Sequence, residues 1–342
     1  MLTGSDGQAK SPRSRRWLFR LIAVVLGLSP LVVVEVGLRV LGIETDLSLV
    51  VPWPDSPGWY QLNPKFDQSF YGQSDLSGPE PRPFRLPKPA GTRRVLVVGG
   101  STVVGFPYPS ELAFPRQMQE MLQAQASACE TIEVLNAGIT AMSSSSEVAV
   151  VEEGLRVEPD AIVIYTGHNE FYGPGGVASS AGRIDPGWFR WLARWRRLYL
   201  VQALARLTQS RAQPMDLLES LPGDLHIALD GETFRRANTR FEQNLSAMAK
   251  LAGQAQVPIL FVSPVANERH QPPIENLTPT PPTADEAARQ TKQRVVEWQV
   301  QFGDVAKGIE KLEAIRAERD LDPNLRFRLA QGYERGTNEG CN

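Results

Sequence analysis

Three predicted strands in this chain end on residues of the types that acyl transfer uses. Val95-Leu-Val-Val98 stops at Gly99-Gly100-Ser101-Thr102, Thr131-Ile-Glu-Val-Leu135 at Asn136-Ala137-Gly138, and Ala161-Ile-Val-Ile-Tyr165 at Thr166-Gly167-His168-Asn169-Glu170. Short aliphatic runs bounded by glycines read as buried strands of a parallel sheet, and ligands bind at the carboxyl ends of such strands. Ser101 then supplies a hydroxyl nucleophile. The backbone N–H groups of Ser101 and Gly138 and the side-chain amide of Asn169 supply donors for the oxyanion of a tetrahedral intermediate, with Gly100, Asn136 and Gly167 in support.

Other readings of the first turn are weaker. A dinucleotide fingerprint needs GxGxxG, but serine and valine fill its second and third glycine slots here, and a phosphate loop needs a lysine that is absent. The second run ends in asparagine rather than the acidic residue a ribose would want. An ordinary strand-to-helix turn capped by Ser101 or Thr102 remains open on that stretch alone. Convergence of three polar strand ends favours the catalytic reading.

Composition narrows the class. The 342 residues carry 36 basic and 38 acidic side chains, a net charge of −2, which gives no general pull toward nucleic acid. Cys129 and Cys341 make no disulfide framework, and His168, His226 and His270 have no ligand spacing, so no metal or cofactor is expected.

The elements that must position these residues follow in order. Residues 1–16 form a basic tail with Lys10, Arg13, Arg15 and Arg16, and residues 17–43 are apolar enough for a transmembrane signal anchor despite Pro30 and Glu35. Basic residues ahead of the span put the amino terminus in the cytoplasm and the rest in the periplasm or outside the cell. Residues 44–92 are a proline-rich linker, either an extended stalk or a wrapping segment. Strand and helix then alternate: strands at 94–99, 131–135, 161–165 and 257–262, helices at about 112–126 and 145–156, the second capped by Ser143 to Ser146. This predicts an α/β fold, a doubly wound, mostly parallel sheet.

An insertion at 171–231 contains Trp188, Trp191, Trp195 and Leu198 at helical spacing, with Arg190, Arg194 and Arg197 elsewhere around the turn. That helix rests on a membrane interface, roofs the site, or packs its aromatic face on the domain with the arginines solvated; the sequence favours the last. Residues 283–342 look like part of a tetratricopeptide repeat, with Gly308, Asp322-Pro323 and Leu329-Ala-Gln-Gly-Tyr333 in helix-pairing positions. A partial repeat of this kind offers a surface for a protein partner.

Gly99-Gly-Ser-Thr102, Asn136-Ala-Gly138 and Gly167-His-Asn-Glu170 together resemble the first three blocks of the SGNH (GDSL-type) hydrolases over about residues 90–267. Gly100 stands where the commonest form has aspartate, and Glu170 where the third block ends in aspartate. The resemblance implies a three-layer αβα domain at 93–270 and hydrolysis of ester bonds in lipids or acylated sugars. It is closest to bacterial membrane-anchored members with tetratricopeptide segments. The family's base comes from a DxxH block, and this sequence has none; His226 has the wrong spacing, and His270 and His168 read as surface residues. The expectation is a carboxyl-terminally truncated chain whose base lies beyond residue 342. Two functions compete: an anchored serine esterase or deacetylase acting on an acyl ester, and a non-catalytic anchored scaffold holding a partner on its repeat helices.

Overall fold

A computed structural model describes residues 12–72, 78–173, 175–179, 182–208, 227, 231–265, 296, 300, 303–318 and 323–339. His226, His270, Cys341 and most of 264–302 lie outside the described residues, as do parts of the 171–231 insertion. The chain divides into two compact units, Met1–Gly223 with Arg235–Ser263, and Asp224–Phe234 with Pro264–Asn342.

The first unit is built on a four-stranded sheet whose order is β5-β4-β6-β7. Its strands are β4 (Thr92–Gly99), β5 (Thr131–Asn136), β6 (Ala161–Tyr165) and β7 (Ile259–Val262), and every pairing among them is parallel. β4 is central because it is apolar on both sides: Leu96 and Val98 face one layer, Val97 the other, and all are fully buried. The Val97 face, with Val134, Val163 and Tyr165, is covered by Phe114 and Met118 of α4 (Phe114–Gln125). The opposite face packs with α5 (Ser144–Gly154) and with Met248 and Ala252 of α8 (Glu232–Gln254). This is the α/β, doubly wound arrangement that the alternating pattern predicts. At the amino-terminal end of β4, the buried Arg94 pairs with Glu133 at 2.7 Å, and Asp160 accepts a 2.7 Å hydrogen bond from the Arg94 N–H.

Residues 44–92 wrap. They form a three-stranded antiparallel sheet of β1 (Val50–Pro52), β2 (Trp59–Leu62) and β3 (Phe84–Arg85), with α2 (Gln68–Tyr71) between β2 and β3. Leu49, Leu62, Phe66, Phe70 and Phe84 lie in the same core cluster as Leu96 and Val98. The prolines interrupt periodicity, while the aromatics between them still find the core.

Ahead of them runs α1 (Pro12–Leu41), whose stretch Trp17–Leu41 is long and apolar enough to cross a membrane. The insertion contributes α6 (Pro186–Arg196) and α7 (Tyr199–Thr208). α6 corrects the sequence reading: Phe189 and Ala193 are buried, while Trp188, Trp191 and Trp195 point outward. Arg194 and Arg197 are ion-paired with Glu152 and Glu153 of α5.

The second unit contains α9 (Val305–Glu318) and α10 (Pro323–Glu339), packed through Leu312, Leu325 and Leu329 with Val296 and Val300. Small residues set the approach. A Cβ at Gly308 would stand 2.5 Å from Val300 Cγ2, and one at Gly332 2.9 Å from Ile309 Cγ1.

Candidate active site

The turn after β4 is as tight as its glycines allow. A Cβ on Gly99 would lie 2.2 Å from the Tyr165 carbonyl oxygen and 2.5 Å from Val103 Cγ2, so only glycine lets β4 end against β6. Gly100 is the amino-terminal cap of α3 (Ser101–Val104), and Gly105 closes that turn at φ 97 with its N–H on the Ser101 carbonyl. Ser101 is therefore the first residue of a helical turn, half-buried at the carboxyl edge of the sheet. Among the described residues nothing is hydrogen-bonded to its hydroxyl. First-turn N–H groups have no partner within their own helix, which leaves the Ser101 N–H available to an oxyanion.

The other two strand ends close on this turn. Gly167, at φ 123, reverses the chain after β6 so that Asn169 reaches back. Its Nδ2 donates to the Met142 carbonyl at 3.0 Å and lies 2.7 Å from where a Cβ of Gly100 would be. One amide hydrogen is thus used to orient the group, and the second remains for a ligand. A side chain at position 100 would occupy the amide's place, which accounts for glycine there. On the other flank, Gly138 abuts Val103 and Val104 so closely that a Cβ would be 2.7 Å from the Val104 nitrogen. Asn136 joins the two turns, its Nδ2 donating to the Val103 carbonyl at 2.9 Å and its Oδ1 accepting the Gly138 N–H at 3.0 Å. The structure therefore brings Gly100, Ser101, Asn136, Gly138 and Asn169 together. The Gly138 N–H is already held by Asn136, where the sequence reading leaves it open for an oxyanion. Ala141, between the Gly138 and Met142 turns, sits at φ 61, a left-handed conformation that costs a residue with a Cβ about 1 kcal/mol.

His168 does not join them. It is exposed, its ring edge-on to Tyr165 with centroids 5.4 Å apart.

Behind the site lies a buried polar cluster that sequence reasoning missed. Ser143 is the amino-terminal cap of α5 by backbone, yet its hydroxyl makes no cap hydrogen bond. The Glu170 carboxylate caps the helix instead, accepting from the Ser144 N–H at 2.9 Å and the Ser144 hydroxyl at 2.6 Å. Asn244 of α8 donates to the Ser144 and Ser145 hydroxyls. Glu147, one turn into α5, is fully buried and accepts from the Thr166 hydroxyl at 2.8 Å. Burial pushes the Glu147 carboxyl well above its ordinary value against the lowering effect of that hydrogen bond, and the nearby Glu170 adds to the rise. Glu170 is also raised, by burial, its bonds from Ser144 opposing. A signal existed for Asn244: it shares the buried stripe of α8 with Met248 and Ala252 at intervals of four. Arg240, one turn earlier, donates to the Gly175 carbonyl at 2.8 Å and the Gly182 carbonyl at 3.2 Å, tying the insertion loop to α8.

No group of three or more potential metal ligands occurs among the described residues. A cavity of about 200 Å³ is lined by Thr45, Tyr71, Arg196, Gln202 and Arg206, none of them at the Ser101 turn.

No family model matches the chain, and no curated protein matches it. Solved structures resembling it include AlinE4, an SGNH-hydrolase family esterase, at 14% identity over 60% of this chain and 94% of that one, with a TM-score of 0.28. A lipase/acylhydrolase from Enterococcus faecalis is 17% identical over 49% of this chain and 74% of its own, with a TM-score of 0.25. A two-domain esterase active on acetylated mannans is 17% identical over 49% of this chain and 50% of its own, with a TM-score of 0.23. At these values the fold assignment rests on the chain's own strand pairing and burial.

Proposed function

We propose that this chain is a membrane-anchored, extracytoplasmic serine ester hydrolase, an esterase or deacetylase of an acylated carbohydrate or lipid. The observation that carries the reading is Ser101 at the start of a helical turn with the Asn169 amide held over Gly100 beside it. In the reaction, the Ser101 Oγ bonds to the acyl carbon as its proton passes to a base. The carbonyl oxygen becomes an oxyanion, met by the Ser101 N–H and the free hydrogen of Asn169 Nδ2. The tetrahedral intermediate then expels the alcohol, which takes up a proton, and water releases the acid from the acyl-serine. Gly138 is the third donor if the oxyanion draws its N–H from Asn136. α1 supplies the anchor, with the basic amino-terminal tail on the cytoplasmic side.

The test is fluorophosphonate labelling of the full chain in membranes. Labelling that disappears in Ser101→Ala supports the hydrolase; labelling unchanged by that substitution, or none at all, removes it. Turnover of an aryl acetate is expected to be slow, because no imidazole lies on Ser101 among the described residues and loss of a triad member costs orders of magnitude in rate. That same feature favours a second reading, an anchored scaffold whose α9–α10 pair, with its repeat-like sequence, binds a protein partner. A partner pull-down that survives Ser101→Ala in an unlabelled chain is the outcome it requires.

A further inference from the structure

α6 is amphipathic the wrong way round for water. The side toward the domain carries Phe189 and Ala193, 7% and 2% exposed, together with Arg197, whose guanidinium group is held by Glu153, while Arg194 at the edge of that side stays half exposed and pairs with Glu152. Its outer side carries Trp188, Trp191 and Trp195, 60%, 43% and 47% exposed, in one row with each indole against the next at centroid distances of 4.9 Å and 5.2 Å. Leu192 on α6 and Leu204 and Leu207 on α7 are exposed as well. A soluble surface spends its ionic side chains on solvent and its indoles on the core; a contiguous exposed aromatic row marks an apolar partner.

The position of α7 says which partner. Glu35, in the last third of α1, accepts the Tyr199 N–H at 3.1 Å and the Leu200 N–H at 2.8 Å, capping the first turn of α7. Arg39 of α1 stacks 4.7 Å from the Tyr199 ring centroid, Gln202 donates to the Thr45 carbonyl at 3.0 Å, and Arg206 pairs with Glu44 at 2.9 Å. α7 is therefore fastened to the carboxyl end of the apolar helix. From Trp17 to Glu35 that helix rises about 27 Å, close to the roughly 30 Å of a hydrocarbon core. Glu35, Arg39 and the first turn of α7 then fall at the bilayer boundary, the level at which exposed tryptophans settle with their rings in the acyl region and their polar atoms in the headgroups.

We propose that α6 and α7 lie in the membrane interface, with Trp188, Trp191, Leu192 and Trp195 immersed among the lipid headgroups and upper acyl chains. The inference rests on α1 being the anchor. It makes the hydrolase domain sit flat on the bilayer beside its own span instead of standing off on a stalk.

The experiment places the full chain in phosphatidylcholine–phosphatidylglycerol vesicles, with a matched set whose acyl chains are brominated near the headgroup. Carbonate extraction is done first. A chain stripped by carbonate overturns the anchor and this inference with it; the remaining outcomes concern a retained chain. Three of the seven tryptophans lie on α6. In W188F/W191F/W195F the bromolipid-quenched emission is expected to fall by about half or more, since Trp17 is the other indole near lipid. A second variant keeps all three indoles: Leu192→Cys is combined with Cys129→Ser and Cys341→Ser, which remove the native thiols, and an environment-sensitive dye is attached at position 192. That dye is expected to be blue-shifted and quenched by bromolipid. Unchanged quenching in the triple variant, or a dye that reports water or is covered by a second copy and escapes bromolipid, overturns the interfacial placement while leaving the anchor standing.

Discussion

Glu147 controls how the buried cluster behind Ser101 responds to pH. Its proton is bound more tightly in the folded chain than in the unfolded one, where the carboxyl has its ordinary value of 4.5. As pH rises above that value, the folded state must either keep the proton or bury a charge, so stability falls until the raised folded value is passed. Glu147→Gln removes one such proton and is expected to flatten the decline by up to about 1.4 kcal/mol per pH unit, with Glu170 and Glu80, both also raised by burial, contributing to what remains. Urea titrations of the full chain in detergent micelles from about pH 5 to 8 read this directly. Equal slopes in the two proteins would mean that Glu147 ionises normally. Ser101 and Asn169 are legible in sequence because each follows a short aliphatic run that reads as a buried strand, and Gly138 because it follows a third run of strand character. Glu147 and Glu170 are not, since a glutamate in a first helical turn or a loop reads as solvated until the helices covering it are known.

Among the elements, α3 depends on how closely β4 and β6 end together. Gly99→Ala places a methyl on the Tyr165 carbonyl and on Val103, and it is expected to cost about 1–3 kcal/mol as the strand ends part. The expected signature is a lower urea midpoint together with loss of fluorophosphonate labelling at Ser101. Full labelling in the variant would show that the turn tolerates the separation. Strand positions are readable to within about two residues because both faces of β4 and β6 are apolar. The orientation of α6 is not: a periodic stripe of indoles states that one side differs from the other, and the α5 acids that pair with Arg194 and draw Arg197 inward lie about 40 residues earlier in the chain. Residues 44–92 are ambiguous for a similar reason, since their partners in the core belong to later strands.

At the scale of the molecule, α1 belongs to the first unit as much as to any membrane. Glu35→Ala leaves the Tyr199 and Leu200 N–H groups without their cap, a loss of about 1 kcal/mol to α7. Limited proteolysis of the full chain in vesicles is expected to cut the 197–208 region faster in this variant than in the wild type, while the sheet stays protected. Equal cutting rates would mean that the cap contributes nothing to holding α7. An apolar leader is ordinarily a disposable address, severed once it has delivered its cargo. The last turns of α1, by contrast, are a building part of the first unit: a cut after residue 43 would release a body missing the carboxylate that starts one of its own helices.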